Sequence, residues 1–366
     1  MSVAILGLST AQPSGKLTQQ DAVAMAIDRC CQTDREARLL RGLYRRTRVE
    51  HRAASAIDDR HNGSTPADQR WAFYPPGTEQ HDRGPTTAQR MQRYIEQATP
   101  LAVRASRDAL AAATIDPQQI THLVTVSCTG FAAPGVDIQL AQQLGLPATV
   151  GRAHVGFMGC HGAFNALRVG QAMAESSPGA KVLVCSVELC SLHFAYGFDP
   201  QRVVANALFA DGSAAAVICA DENNDEPWRL AATSSCLMPD CDDAMTWLIR
   251  DHGFEMTLSP RVPELIEQHL RPWLDPWLAE HGLTVEQVGS WAIHPGGPRI
   301  IESVEAALGI ADGTAEVSRD VLRECGNMSS ATILFILERL RAADAARPCV
   351  ALGFGPGLNG EAMLLV

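Results

Sequence analysis

Two intervals recur in this chain and limit what it can fold into. Ser127 closes the apolar run at 122–127 and lies 33 residues before Cys160; His294 closes the run at 291–294 and lies 33 residues before Asn327. A further apolar run starts 22 residues after Cys160, at Val182, and another 22 residues after Asn327, at Cys349. Strand, helix and strand repeated at equal spacing read as an internal duplication of an α/β unit. The closing strand comes later in the first copy, at 213–220, than in the second, at 361–366, so an insertion is expected near 190–208. The polar run Asp221-Glu222-Asn223-Asn224-Asp225-Glu226 marks the boundary, which gives halves of 1–225 and 226–366.

The remaining patterns fill in this frame. Residues 2–9 read as a first strand, and 19–31 and the stretch from 35 onward as helices. The segment 54–85, rich in Pro, Gly, Asp and His, reads as an irregular excursion. Helical spacing over 86–113 is expected to break or restart at Pro100, and that over 263–281 to be interrupted at Pro272 and Pro276. The formal charge of −11 argues against a nucleic-acid or anionic-membrane surface, and no apolar run approaches the ~20 residues that span a bilayer. Eleven cysteines without a repeated CxxC spacing suggest neither a zinc module nor a disulfide framework; reduced thiols in the cytoplasm are expected. Lysine occurs only at 16 and 181, and arginines gather between 35 and 52.

The duplication gives chemistry a place. Cys160 stands in Gly156-Phe157-Met158-Gly159-Cys160-His161-Gly162 where a helical apolar pattern begins. Unpaired N–H groups and the positive dipole end there favour thiolate. Pseudo-symmetry should set Cys160 opposite Asn327, with His294 coming in from the end of the adjoining strand; α/β folds gather active groups at strand C-termini.

These positions also carry a resemblance. Gly159-Cys160, Ile293-His294-Pro295-Gly296-Gly297-Pro298, Gly326-Asn327-Met328-Ser329-Ser330-Ala331, Gly353-Phe354-Gly355-Pro356-Gly357 and Ala207-Leu208-Phe209-Ala210-Asp211-Gly212 resemble the chalcone/stilbene synthase family, the type III polyketide synthases. The match runs essentially end to end. It implies a thiolase-like five-layered αβαβα fold of two duplicated halves and a homodimer. It also implies direct use of CoA thioesters, an acyl-CoA starter and malonyl-CoA, with no metal or redox cofactor. Residue by residue, it makes Cys160 the nucleophile and acyl carrier. His294 becomes the partner that holds Cys160 as thiolate, and His294 with Asn327 the donors that stabilise the enolate formed on decarboxylation. Phe194 aligns with the family's first gatekeeper phenylalanine. Met256 falls at the second, with Phe254 as the competing position. Cys128, where plant members usually carry threonine, and Ser329 are expected to line the cavity, and Gly353, Phe354, Gly355, Pro356 and Gly357 to shape the backbone around it. Ala133 stands where plant members place a methionine that reaches into the partner subunit. The cluster Arg41, Arg45, Arg46, Arg48 and Arg52 overlaps the family's basic CoA contacts; Arg45, Arg46 and Arg48 are taken as the phosphate ligands.

Rival readings differ at named positions. A ketoacyl synthase of the fatty-acid initiating type shares Cys, His and Asn but usually has Gln-Ala-Asn after the histidine, where this chain has Pro-Gly-Gly. A degradative thiolase needs a second cysteine in its C-terminal glycine loop, and Gly353 to Gly357 contains none. A papain-like hydrolase would carry its cysteine near the mature N-terminus. For the product, the absent second phenylalanine and the small Ala132-Ala133 pair favour a medium- or long-chain starter giving alkylpyrones or alkylresorcinols. A malonyl-primed tetrahydroxynaphthalene synthase is the alternative, since Cys128 is similar to bacterial members of that type.

Overall fold

Side chains alternate between two apolar environments along the strands, and that alternation defines the layers. The structure, a computed structural model, describes residues 2–57, 70–77, 82–220 and 228–366. Its strands are β1 (Val3–Ala11), β2 (Lys16–Thr18), β3 (His51–Ala53), β4 (His122–Ser127), β5 (Gly151–Gly156), β6 (Lys181–Leu189), β7 (Asp211–Cys219), β8 (Arg229–Leu237), β9 (Met245–Arg250), β10 (Gly253–Leu258), β11 (Ser290–Ile293), β12 (Cys349–Gly355) and β13 (Asn359–Leu365). Its helices are α1 (Gln19–Cys30), α2 (Asp34–Arg46), α3 (Thr87–Ala113), α4 (Val136–Leu144), α5 (Gly162–Ser176), α6 (Pro200–Leu208), α7 (Val262–Glu280), α8 (Pro298–Leu308), α9 (Glu316–Cys325) and α10 (Thr332–Ala342).

Nine strands pair in the order β11-β12-β13-β8-β1-β7-β6-β4-β5. Two copies of one pattern meet in the middle. In the first, β4 runs parallel to β6, which is antiparallel to β7, itself antiparallel to β1. In the second, β11 is parallel to β12, which is antiparallel to β13, itself antiparallel to β8. Within the sheet, β1 and β8 join the copies through Val3 with Leu230 and Ala4 with Arg229. On one face of the first copy, Leu123, Leu183, Val187, Ala215 and Val217 pack under α3. On the other, Val124, Val126, Val184 and Ala216 meet Phe164 and Leu167 of α5 and Leu334 and Ile336 of α10. The second copy turns Ala292, Ala351 and Met363 to the same two helices, and Trp291, Val350, Leu352 and Leu364 to α7 and α8. The result is the five-layered αβαβα arrangement, with α5 and α10 as the shared middle layer. Strands buried on both faces read as continuous apolar runs, which is how this sequence spells them.

The expected insertion lies between β6 and β7, where Cys190–His193 forms a short 3-10 turn and α6 follows. In the second copy, a turn at Pro356–Leu358 alone joins β12 to β13. The expected boundary at 221–226 lies outside the described residues, as does part of the 54–85 segment. Proline does not break the helices as the sequence suggests. α3 runs unbroken through Pro100, and α7 through Pro272 and Pro276. Each proline costs about 3 kcal/mol inside a helix, but α7 buries Ile266, Leu270, Leu274 and Leu278 completely. At about 1.5–3 kcal/mol each, that stripe offsets the lost N–H bonds. A separate hairpin, β9 with β10, and the strand β5 were not anticipated from sequence.

Candidate active site

Two matched turns build the site, one from each copy. In the first, Phe157 and Gly159 have positive φ (61° and 82°), which places Cys160 just ahead of α5. The helix proper begins at Gly162, so the cysteine sits two residues before it rather than on it. A Cβ on Gly159 would run into the Pro356 ring. In the second, Gly326 (φ 75°) precedes Asn327, and a Cβ there would meet Ala210 Cβ at 2.9 Å and Arg52 Cγ at 3.0 Å. Asn327 is followed by a 3-10 turn, Ser329–Ala331, before α10 begins at Thr332, a local departure from the continuous helix expected. Each reactive residue thus follows a glycine that the backbone requires.

His294 extends the end of β11, its N–H bonded to Leu352 O at 2.8 Å. Cys160, His294 and Asn327 come together on one chamber of about 520 Å³ including its opening to solvent, which Phe209, Met256 and Phe354 also line. Cys160 opens as well into a larger, mostly apolar chamber of about 1020 Å³ including its solvent-open mouth. Leu17, Met25, Trp71, Tyr74 and Trp247 are among that chamber's walls. Phe209 and Met256 border both chambers, at the passage between them.

The polar groups are oriented by their partners. Asn327 Oδ1 accepts the Ser329 N–H at 2.8 Å, which leaves the Asn327 NH2 group as the donor available to the chamber. Neither ring nitrogen of His294 meets a hydrogen-bond partner among the described residues, although the side chain is buried. Burial drives the Cys160 thiol up to about 12, against hydrogen bonding from Ser329 and Asn327 that favours the thiolate. Burial, and then the neighbouring His161, push His294 down to about 3. Burial thus opposes the thiolate that the helix terminus favours, and Cys160 lies ahead of the helix with its side chain buried.

Behind the cysteine lies Glu188, fully buried on β6. Its carboxylate accepts the Cys128 N–H at 3.0 Å and the Thr129 hydroxyl at 2.7 Å, and it is also bonded by the Ser330 hydroxyl. Burial raises it to about 7 in spite of those donors. Cys128 itself accepts the Gly159 N–H at 3.1 Å, so it braces the cysteine turn. On the far side, His161 Nδ1 pairs with Asn165 Oδ1 at 2.8 Å, and Asn165 Nδ2 donates to Glu361 at 2.9 Å.

Other expected residues fall in three groups. Cys128, Ser329 and Pro356 line the larger chamber and Phe354 the smaller. Gly353 and Gly355 lie against Phe164 and His161, where side chains would collide, and Gly357 turns the chain with φ 74°. Between Met256 and Phe254, the structure puts Met256 beside His294 and Asn327; Phe254 lines only the larger chamber, stacked on His193 at 4.1 Å. Phe194 also lines the larger chamber, its ring 5.4 Å from that of Tyr74, but it does not reach the smaller one. Phe209, which the sequence pattern did not single out although it lies in the Ala207 to Gly212 motif, shares the wall of the smaller chamber with Phe354. Arg41, Arg45, Arg46 and Arg48 are exposed around the end of α2, and Arg48 pairs with Glu302 at 3.4 Å. Arg52 departs from that group, because it is buried.

Residues 3–222 match the model of the chalcone and stilbene synthase N-terminal domain, and residues 229–366 that of the C-terminal domain. The chain belongs to the chalcone and stilbene synthase family. It is a type III polyketide synthase, an acyltransferase. It is 35% identical to the alpha-pyrone synthesis polyketide synthase-like Pks18 of Mycobacterium tuberculosis, over 99% of this chain and 91% of that protein. It is 31% identical to the 1,3,6,8-tetrahydroxynaphthalene synthase of Streptomyces peucetius subsp. caesius, over 99% and 92%. The crystal structure of PKS-I from the brown alga Ectocarpus siliculosus superposes with a TM-score of 0.92 at 31% identity, covering 100% of this chain and 98% of that one. No helix among the described residues is long and apolar enough to cross a membrane.

Proposed function

We propose that this synthase carries its growing chain on Cys160 and decarboxylates malonyl-CoA at His294 and Asn327. The observation that carries the reading is that Cys160 opens into both chambers, while His294 and Asn327 face only the smaller. His294, neutral and unpartnered, takes the Cys160 proton as the sulfur attacks the starter thioester, and returns it to the departing CoA thiolate. Malonyl-CoA then places its thioester carbonyl against the Asn327 NH2 group and His294. Loss of carbon dioxide leaves the electron pair as an enolate held by those donors; its carbon attacks the acyl-Cys160 carbonyl and the thiolate leaves. Phe209 and Met256 give that step an apolar border, which favours departure of neutral carbon dioxide.

The apolar larger chamber suits a medium- or long-chain acyl starter folded into an alkylpyrone or alkylresorcinol, and the relative named for alpha-pyrone synthesis supports that choice. A malonyl-primed tetrahydroxynaphthalene product is the second reading, favoured by Cys128 on the chamber wall. Arg45, Arg46 and Arg48 would hold the CoA phosphates. The two halves are assigned to 1–225 and 226–366, and the enzyme to a homodimer. The cytoplasm suits eleven free cysteines. Intact-mass measurement after mixing with acyl-CoA starters from two to sixteen carbons, then malonyl-CoA, tests the reading. We expect an acyl adduct that Cys160→Ala abolishes and that is largest for the longer starters. An adduct that survives Cys160→Ala overturns the carrier assignment. Product from malonyl-CoA alone, and from no other starter, selects the second reading.

A further inference from the structure

The last four carbonyls of a helix have no partner within it, and at the end of α6 four different donors supply them. Ala205 O accepts the Phe209 N–H at 3.1 Å, and Leu208 O the Asn327 N–H at 2.9 Å. Asn206 O accepts Arg52 Nη1 at 2.6 Å, and Ala207 O accepts Gln19 Nε2 at 3.1 Å. Arg52 Nη1 donates again to Phe209 O at 2.9 Å, and the Ala210 N–H to Asn327 O at 2.8 Å. Arg52 is 7% exposed and comes from β3, far from α6 in the chain. A cation at a helix C-terminus complements the dipole as well as the carbonyls.

We propose that Arg52 is a positioning residue of this synthase. It clamps the end of α6 so that the Phe209 ring and the Asn327 carboxamide keep one fixed separation across the smaller chamber. Phe209 belongs to the first copy and Asn327 to the second, and the strap of backbone bonds at 208–210 is their direct connection. Arg52 holds that strap from behind, with its side chain packed where any Cβ on Gly326 would fall. Gln19 acts in the same direction through one bond to α6, its Nε2 also donating to Tyr44 O at 3.3 Å and Thr47 Oγ1 at 2.9 Å. The arginine thus serves catalysis through geometry rather than by gripping phosphate, unlike its exposed neighbours Arg45, Arg46 and Arg48.

The functional half of the inference rests on the assignment of decarboxylation to Asn327, so the test reads geometry and chemistry separately. Arg52→Lys keeps the charge, but its shorter side chain draws the donor back from the two carbonyls that Arg52 Nη1 reaches; Gln19→Leu removes the weaker clamp. Carbon dioxide release from malonyl-CoA is followed on full-length enzyme with Cys160 capped by iodoacetamide, and amide exchange is followed at Asn327 and Ala210. In Arg52→Lys we expect exchange at both amides to rise about tenfold. We expect kcat for carbon dioxide release to fall about tenfold with KM within about twofold, and Cys160 alkylation to keep its rate. Gln19→Leu should give the same pattern at about two- to threefold. Unchanged exchange at Asn327 and Ala210 overturns the proposal, as does a rise spread evenly over the sheet together with slower Cys160 alkylation. If the two amides loosen while Asn327→Ala itself releases carbon dioxide at the normal rate, the clamp stands and the role of Asn327 falls.

Discussion

The two copies use the same scaffold to present different side chains. Each ends a parallel strand, passes a glycine with positive φ, and presents one reactive side chain ahead of a middle-layer helix. In the first copy that side chain is a thiol backed by the buried Glu188. In the second it is a carboxamide whose oxygen is tied to Ser329, with His294 on the adjoining strand. The first copy also carries α6 between its last two strands, where the second has only a tight turn. The shared frame places groups, and the differences decide what they do. In the proposed reading, one copy holds the acyl chain, and the other handles the charge that develops on malonyl-CoA.

The sharpest way to break this comparison is to disable one copy and assay the task of the other. Replacing His294 and Asn327 together by alanine should lower carbon dioxide release by about 10²–10³-fold. Far-UV circular dichroism should then stay unchanged, as a control for folding. Release that continues at the normal rate would mean the division of labour is wrong.

A smaller effect compares the matched glycines. Gly159→Ala and Gly326→Ala should each cost about 2–4 kcal/mol from left-handed backbone strain and crowding. Gly159→Ala should be the worse, since it drives a methyl group into the Pro356 ring rather than against the mixed wall at Gly326. Urea midpoints check this; equal and negligible shifts would show that the turns tolerate other conformations.

The smallest effect sharpens the contrast at Glu188. Its carboxyl is raised to about 7 from an ordinary 4.5, so folding favours the protonated form. That contribution is complete below pH 4.5 and fades as pH rises through 7. The melting temperature should therefore decline by a few degrees between pH 5 and pH 8. Glu188→Gln, less stable at every pH because it turns an NH2 group toward donors, should lose that part of the slope. An unchanged slope would move the titration elsewhere.

Much of this was written in the chain at a readable scale. Equal intervals before and after Cys160 and Asn327 survive because they measure a strand, a crossover and a return, which geometry constrains more than residue identity. The apolar runs of β4, β6 and β12 were legible because both their faces are buried. Pro100, Pro272 and Pro276 misled because a local rule about lost N–H bonds says nothing of the sheet the helix lies on. The balance at Cys160 was hidden for a related reason: a helix start is visible in sequence, but the burial that opposes the thiolate is not. Phe209 was hidden by its neighbours, since Phe194 stands in an aromatic segment close by and only the turn after α6 shows which of the two rings borders the smaller chamber. Arg52 looked like one more member of a basic cluster until its fold placed it inside.

The contact between Gly159 and Pro356 has a historical consequence. A duplicated protein usually keeps a spare, so that one copy can drift while the other works. Here the glycine before Cys160 of one copy lies against the hairpin turn of the other, and His294 and Asn327 face Cys160's chamber across the same seam. Neither copy retains a complete set of parts, so the two have become an obligate pair. Changes at this seam must be inherited together, and a gene that lost either half would lose the reaction with it.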